Sequence, residues 1–344
     1  MDEIIAWLMT LIGFPTASDG DGAGACVSFI EKELVRRGVS VTTFVTEDGP
    51  RAGRHLLAEV RGERRDGVML HAHLDTAGYG RREDWAFPAD RALRRDGRVW
   101  GRGALDCKGP LAVWMKLLTD AAELGPQPYT LKLLVTDLEE EGGEHGLGLL
   151  LTQRPELLED VRLVIGEGGG FPFPFREDIF YTFQTGEREF GEDRTAEEPG
   201  WEEISRVLSM GVERGYYSGD ILAYAARAPF LTGRRLDVRP LYAGMEEFFR
   251  DAGASTVFGK YGQLFETALR QAVPSARLMP CITPGTSDNR WFRSAGVPVV
   301  GFFPLDVRNP LGGIHGPDEC ISEASLCLAY RTMSRILERI VPGD

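Results

Sequence analysis

The sequence lacks the features that mark several large classes of protein. Its 344 residues contain no dense cluster of lysine or arginine, and the formal net charge is −13, which argues against a nucleic-acid partner. No apolar run is long enough to span a membrane, and the acidic start at residues 1–3 is unlike a secretory leader. The five cysteines are scattered with no CxxC pair, so no disulfide framework is expected. We therefore expect a cytoplasmic globular protein with no nucleic-acid or membrane partner.

Histidine is scarce too, with five in the chain, yet two of them fall in the stretch 70–76, Leu-His-Ala-His-Leu-Asp-Thr. The apolar residues 67–70 before it predict the end of a buried strand. His73 and Asp75 are two apart, so in extended chain their side chains point to the same side. That suits a histidine that binds a metal through one nitrogen while a carboxylate holds the other. A structural histidine satisfied by a neighbouring carbonyl is the alternative when the stretch is taken alone.

Short apolar strands alternate with helices through the first half of the chain. The predicted strands are 39–45, 55–60, 68–71, 131–136 and 161–165, and the predicted helices are 3–12, 25–38, 110–124 and 144–152. This alternation predicts an α/β fold with a mostly parallel sheet sandwiched by helices.

The pattern changes after about residue 187, where the chain becomes polar and acidic. A helix at 201–214, strands at 220–226 and 234–239 and a helix at 241–252 predict a small α/β insert. The α/β pattern then resumes and ends with a helix at 322–341. We therefore predict a catalytic domain formed by 1–187 and 253–344, with a shortened lid domain at 188–252.

Candidate metal ligands follow the predicted strands or lie in glycine-rich loops, where open α/β sheets bind ligands. They are His73, Asp106, the acidic run 139–141, Glu167 and His315. Two histidines and three carboxylates can hold two divalent ions if one carboxylate bridges them. Such ligands suit zinc, with cobalt or manganese as substitutes. A spare carboxylate beside a ligating one can act as general base. Each piece alone is more often a turn, a loop or a solvated helix start than a metal site.

Taken in order, these pieces resemble the co-catalytic di-zinc peptidase family of aminoacylase, acetylornithine deacetylase, succinyl-diaminopimelate desuccinylase and carboxypeptidase G. The resemblance lies in six motifs: His73-Leu74-Asp75, Gly101-Arg102-Gly103-Ala104-Leu105-Asp106-Cys107-Lys108-Gly109, Glu139-Glu140-Glu141-Gly142-Gly143-Glu144-His145-Gly146, Glu167-Gly168-Gly169, Gly285-Thr286-Ser287-Asp288-Asn289-Arg290 and His315-Gly316-Pro317-Asp318-Glu319. Two stretches, 153–156 and 288–304, are most similar to aminoacylase.

The resemblance implies a role for each ligand. His73 and Glu167 would bind one zinc, and Glu140 and His315 would bind the other. Asp106 would bridge the two ions, with a cis peptide bond after it.

The resemblance also implies that Asp75 orients the first histidine and that Glu139 is the general base. Leu138 stands where the family usually has an aspartate. The base and the ligand could therefore be Glu139 and Glu140, or Glu140 and Glu141. The spacing to the following glycines favours the first pair.

The predicted lid departs from the family. Family members have a lid about twice this size, and its histidine reaches across a dimer to stabilise the oxyanion. No histidine lies between 188 and 314. Tyr216, Tyr217 or Arg227 could supply another donor, or the substrate differs from the usual one.

Three residues are expected to bind the substrate. Arg239 lies in a stretch, 236–240, that resembles the family's closing lid strand, whose arginine grips a carboxylate bidentately. Asp288 and Arg290 belong to the fifth motif.

The leading hypothesis is a di-zinc amidohydrolase acting on an N-acyl amino acid or short peptide with a free carboxylate. The alternatives are a di-zinc aminopeptidase and a binding protein on a degenerate hydrolase scaffold. Without the lid histidine we expect a monomer or an atypical homodimer.

Overall fold

The computed structural model describes residues 1–18, 20–48, 51–175, 177–188, 201–216, 219, 222, 239–311 and 313–340. Within these residues the α-helices are α1 (Asp2–Ile12), α2 (Ala23–Val35), α3 (Lys108–Leu124), α4 (Leu149–Gln153), α5 (Trp201–Glu213), α6 (Arg239–Arg250), α7 (Ala252–Arg270), α8 (Asn289–Ser294) and α9 (Glu323–Arg339). The strands are β1 (Ser40–Thr46), β2 (Gly53–Val60), β3 (Gly62–His73), β4 (Leu93–Arg95), β5 (Arg98–Trp100), β6 (Gln127–Thr136), β7 (Val161–Gly166), β8 (Pro172–Phe175), β9 (Asp178–Arg188), β10 (Ala276–Pro284), β11 (Val299–Gly301) and β12 (Cys320–Ser322).

The central sheet has nine described strands in the order β1-β2-β6-β3-β7-β11-β9-β10, with β8 paired to β9. Strands β6, β3, β7 and β11 run parallel to one another, whereas β1 and β2 add an antiparallel margin. Parallel neighbours end at the same edge of a sheet, which is where open α/β folds bind ligands. The predicted mostly parallel α/β fold is confirmed.

Alternate residues of β3 enter cores on opposite faces of the sheet. Val68 and Leu70 join the larger core, to which α1, α2, α3 and α9 contribute, while Met69 joins the core beside α4 and α8. Both faces are therefore covered, which explains why the strand is a continuous apolar run.

The described helices of the predicted insert pack on the central sheet. Val207 of α5 and Phe248 of α6 share one apolar cluster with Phe180 of β9 and Ile282 of β10. The insert boundaries at 188 and 252 stay a prediction. The strands predicted at 220–226 and 234–239 lie almost wholly outside the described residues.

A second, three-stranded antiparallel sheet has the order β12-β5-β4. Cys320 lies opposite Trp100, and Ser322 lies opposite Arg98. Since β5 leads into the second motif and β12 follows the sixth, this small sheet holds two distant loops together. None of the helices in the described ranges is long and apolar enough to cross a membrane.

Candidate metal centre

Three neighbouring parallel strands deliver the predicted ligands to one edge of the central sheet. β3 ends at His73, β6 ends just before the acidic run, and β7 ends immediately before Glu167. Asp106 precedes α3, and its peptide bond to Cys107 is cis, as the resemblance implies. His315 reaches the same edge from the loop between β11 and β12.

The five predicted ligands form one continuous cluster. The Nε2 atom of His73 lies 3.0 Å from Oδ1 of Asp106 and 3.4 Å from Oε2 of Glu167. The Nε2 atom of His315 lies 3.0 Å from Oδ2 of Asp106 and 3.1 Å from Oε2 of Glu140. The two oxygens of Asp106 thus face different imidazoles, as a bridging carboxylate requires.

The protonation of His73 follows from its contacts. Its Nδ1 atom lies 2.9 Å from the carbonyl oxygen of Asp75, and a carbonyl only accepts, so Nδ1 donates the proton. In the neutral ring, the lone pair on Nε2 then faces the carboxylate oxygens of Asp106 and Glu167 and repels them. A proton or a cation between the nitrogen and these oxygens relieves the repulsion. An imidazole held this way through its other nitrogen is typical of metal-binding histidines.

The donor set fits divalent cations. Imidazole nitrogens and carboxylate oxygens are common ligands of zinc in proteins. His73, Asp106 and Glu140 offer ligand atoms that all lie within 4.8 Å of one another. The Oε1 atom of Glu140 is buried and has no hydrogen-bond partner in the described structure, so it is available to a cation.

The pKa shifts of the two imidazoles have the same electrostatic origin. Hydrogen bonds to Asp106 and Glu140 raise the pKa of His315 to about 10. Burial alone would lower the pKa of His73, but the Glu167 carboxylate, Cys107 and Asp106 raise it well above its usual value. Without a cation the cluster therefore holds protons, which a bound metal replaces.

Asp75 supports both halves of the cluster, although not quite as predicted. Its Oδ1 atom lies 3.6 Å from Nδ1 of His73, too far for a hydrogen bond, so the ring is held by the backbone carbonyl instead. Its Oδ2 atom accepts a 3.0 Å hydrogen bond from the backbone N–H of Glu140. Burial would raise the pKa of the Asp75 carboxyl, but His73 and the nearby backbone N–H groups lower it below its usual value.

Glu139 lies beside the cluster. Its Oε2 atom is 4.0 Å from Nε2 of His73. Burial and the carboxylates of Glu167, Asp288 and Asp75 raise the pKa of Glu139 to about 10. A neighbouring cation would lower that pKa.

The acidic run is anchored from the other side by Arg51. Two 2.9 Å hydrogen bonds join its guanidinium to Asp137, and a third of 3.1 Å reaches Glu141. Glu141 therefore faces Arg51, while Glu140 faces the cluster. This geometry supports the register in which Glu139 and Glu140 are the functional pair.

Sequence reasoning assigned no role to Glu319, although it ends the sixth motif. Its Oε1 atom accepts hydrogen bonds of 2.8 and 3.0 Å from the backbone N–H groups of Leu105 and Asp106. Its Oε2 atom accepts from the N–H of Gly103 at 3.0 Å and from Arg102 at 2.9 Å. Glu319 therefore fixes the loop that presents the bridging carboxylate.

Cys107 is a second omission. His73, Cys107 and Glu167 offer ligand atoms within 4.8 Å of one another. Burial raises the pKa of the Cys107 thiol well above its usual value, so the thiol is protonated.

Two of the expected substrate-binding residues lie away from the cluster's open side. Asp288 is 1% exposed, and its Oδ2 atom accepts a 2.8 Å hydrogen bond from Thr136. Arg290 donates to the carbonyl oxygen of Gly142 and lies over the ring of Trp291.

The lid residues are largely outside the described part of the chain. Arg239 begins α6 and its side chain is not described, and Tyr217 and Arg227 lie outside the described residues. Tyr216 packs against Phe248 in the apolar cluster of α5 and α6, so its ring is part of a core.

A cavity of about 350 Å³ opens beside the cluster. Asp106, Glu139, Glu167 and His315 are among the residues that line it. The rest of the described lining comes from β8, β9 and β10, from the start of α3 and the loop before it, and from the loops after β7, β10 and β11. The cluster is therefore accessible to a small molecule that the cavity can hold.

Comparisons with known sequences agree with this site. The model of peptidase family M20/M25/M40 matches residues 69–339. A cysteinylglycine-S-conjugate dipeptidase of Corynebacterium striatum is 36% identical over 102 residues, which is 30% of this chain and 22% of that protein. A succinyl-diaminopimelate desuccinylase of Rickettsia felis is 28% identical over 146 residues, 41% of this chain and 37% of that protein. The matched segments thus span well under half the length of these relatives.

Solved structures show the same fold across nearly the whole chain. An M20 family metallo-carboxypeptidase from Sulfolobus solfataricus has a TM-score of 0.68 at 15% identity, with 98% of this chain and 99% of that chain covered. Human carnosine dipeptidase 1 has a TM-score of 0.66 at 12% identity, with 98% and 96% covered. Since the family model covers most of the chain and the predicted motifs meet at one edge of its sheet, the protein belongs to peptidase family M20/M25/M40.

Proposed function

We propose that this protein is a di-zinc hydrolase that cleaves a linear amide bond in a dipeptide or an N-acyl amino acid. The observation that carries the proposal is the cluster itself, in which one carboxylate faces two imidazoles and each imidazole has a further carboxylate. Relatives named as a dipeptidase and a desuccinylase support an amide or peptide bond as the target.

In this proposal His73, Asp106 and Glu167 hold one ion, and His315, Glu140 and Asp106 hold the other. Two bound ions would supply Lewis acidity toward the scissile carbonyl and would lower the pKa of an attacking water.

Glu139 lines the cavity and has a carboxylate that can exchange protons with that water. It takes the proton of the water during attack on the carbonyl carbon and gives it to the leaving nitrogen when the C–N bond breaks. Asp75 positions residues of both ion sites: its carbonyl oxygen holds the ring of His73, and its carboxylate holds the backbone of Glu140.

The test compares two single substitutions in the same acidic run. Glu139→Gln removes the base and is expected to lower kcat by about 10²–10⁴-fold while two zinc ions per chain are retained. Glu141→Gln is the matched control, because Glu141 contacts Arg51 on the other side of the loop, and it is expected to keep kcat. Zinc is counted by elemental analysis, and free amine is measured from dipeptides and N-acyl amino acids.

Three results would contradict parts of the proposal. Full activity of the zinc-loaded Glu139→Gln protein would remove Glu139 as the base. Cleavage of amino-acyl anilides with none of N-acyl substrates would favour an aminopeptidase. Tight binding of these compounds without turnover at saturating zinc would favour a binding protein.

A further inference from the structure

We infer that the cavity beside the metal ligands receives an apolar group of the substrate, up to the size of an aromatic ring, attached to the amide that is cleaved. This inference rests on the proposed amide hydrolysis and specifies its substrate class.

Six of the residues that line the cavity have aliphatic or aromatic side chains, and they are called the apolar wall below. They are Leu105, Phe171, Phe173, Phe303, Leu311 and Ile314. Phe171, Leu311 and Ile314 are partly buried and pack against the main apolar core, so the core extends into the wall of the site. A ligand group placed there would exchange water for hydrocarbon contacts.

Several polar side chains of the lining are hydrogen-bonded to one another or to Arg293 behind them. Gln184 donates a 2.6 Å hydrogen bond to Thr283, and Ser287 donates one of 2.6 Å to Glu187. Arg293 bonds both Glu187, at 2.8 Å, and Gln184, at 3.0 Å. Because these groups bond one another, much of what the described lining offers to a substrate beyond the predicted metal ligands is apolar surface.

The size and chemistry of the space set the class of group that fits. The cavity measures about 350 Å³, whereas a protein cavity of about 150 Å³ already holds benzene. A charged group against these apolar side chains would lose its hydration without gaining a partner among them. We therefore expect a strong preference for apolar over charged groups, including the succinyl group.

The apolar group could lie on either side of the scissile bond, and two substrate series distinguish the two sides. In the first, the acyl chain of an N-acyl-glycine grows from acetyl to butyryl and phenylacetyl. In the second, N-acetyl amino acids carry the side chains of alanine, leucine and phenylalanine. In the series that enters the cavity, kcat/KM is expected to rise about fourfold for each buried methylene, and N-succinyl or aspartyl analogues are expected to react at least about tenfold more slowly.

Binding gives a second readout that does not depend on turnover. The zinc-loaded Glu139→Gln protein is titrated with the same compounds by calorimetry. The preferred series is expected to show a heat-capacity change that becomes more negative as the apolar group grows.

A substitution in the wall tests the location. Phe171→Ala is expected to lower kcat/KM by about tenfold for the phenyl compound and little for the acetyl or alanyl compound. Phe29→Ala is the matched control, since Phe29 is also a partly buried ring on the main core but lies on α2 and does not line the cavity. If Phe171→Ala does not fold, Leu311→Ala is expected to show the same selective loss.

The outcomes separate this inference from the proposed function. Equal or faster cleavage of the succinyl and aspartyl compounds, or an equal loss with Phe29→Ala, would overturn the apolar pocket while amide hydrolysis stands. Absence of cleavage of every compound by the zinc-loaded wild type would overturn the proposed function itself.

Discussion

Glu319 links the loop that carries Asp106 to the motif that carries His315. Its carboxylate accepts three backbone hydrogen bonds from the loop that carries Asp106 and one from Arg102. The Glu319 side chain is 1% exposed, so water cannot replace these contacts. Residues that orient metal ligands in this way usually affect metal affinity as well as stability.

We expect Glu319→Gln to weaken zinc binding by about 10–100-fold, because its amide N–H₂ would face backbone donors in place of an acceptor oxygen. Glu323→Gln, which removes only the partly exposed ion pair with Arg94, should bind zinc like the wild type. Competition with a coloured chelator measures the two affinities. If Glu319→Gln binds zinc as tightly as the wild type does, Glu319 does not position Asp106 for metal binding.

His55 makes stability depend on pH independently of the metal centre. It is fully buried, contacts Thr46 and accepts a hydrogen bond from the N–H of Asp137. Burial lowers the pKa of His55 to about 4, from 6.5. Since the unfolded chain binds this proton more readily, the stabilisation is complete above pH 6.5 and is lost as the pH falls toward 4.

His55 alone should thus remove about 2 kcal/mol from the free energy of unfolding between about pH 7.5 and pH 5. Urea unfolding of the wild type and of His55→Gln at both pH values measures this, and the variant should show the smaller loss. Equal losses in the two proteins would mean that His55 is not held neutral.

The residues that meet in the cluster could be predicted from the sequence, whereas the residues that support them could not. His73 and Glu167 directly follow apolar runs that are unmistakable as strands, so their place at the sheet edge follows from parallel pairing. The role of Glu319 depends on a hydrogen bond to Asp106 across 213 residues, which no local pattern reveals.

At the scale of elements, the small sheet of β4, β5 and β12 sets the spacing of the two ligand-bearing loops. Ile321 of β12 is fully buried and lies opposite Val99 of β5. The Cδ1 atom of Ile321 also approaches the first turn of α3, where a Cβ on Gly109 would be 3.1 Å from it. The packing of one side chain therefore aligns the strand pair with the start of α3.

Ile321→Ala should consequently do more than create a cavity. We expect a loss of about 2–5 kcal/mol in unfolding free energy, together with weaker zinc binding. Ile30→Ala on α2, which is also fully buried, should be destabilised similarly without a change in zinc affinity. Urea unfolding measures the loss of stability in both variants, and chelator competition measures their zinc affinity. Unchanged zinc affinity in Ile321→Ala would contradict the role of Ile321 in aligning the two loops.

Some elements escaped sequence analysis for identifiable reasons. β10 contains Pro280 and Pro284, and proline argues against a strand. In the described sheet β10 lies at the end of the strand order and bonds only to β9, so it can tolerate residues without a backbone N–H. β4 has only three residues, too few for an alternation of apolar and polar residues to indicate a strand.

For the whole molecule, the origin of the cluster's side chains bears on assembly. Both imidazoles, the three carboxylates predicted to bind metal and Glu139 come from the same chain, and no histidine lies between 188 and 314 to be lent to a partner. We therefore expect activity per chain to stay constant on dilution, whether light scattering reports a monomer or a dimer. Activity that falls in step with dissociation of a dimer would show that a partner completes the site.

The separation of the ligands along the chain has a consequence for the order of folding. His73 meets Asp106 across 33 residues, whereas Glu319 meets it across 213. Each doubling of a loop adds only about 0.6 kcal/mol to its closure, but long-range contacts form slowly. The loop of Asp106 is held by Glu319, so it reaches its native position only after the loop that carries His315 and Glu319 has folded. Metal uptake during refolding would then report the completion of the fold, since a ligand set that includes Asp106 is assembled last.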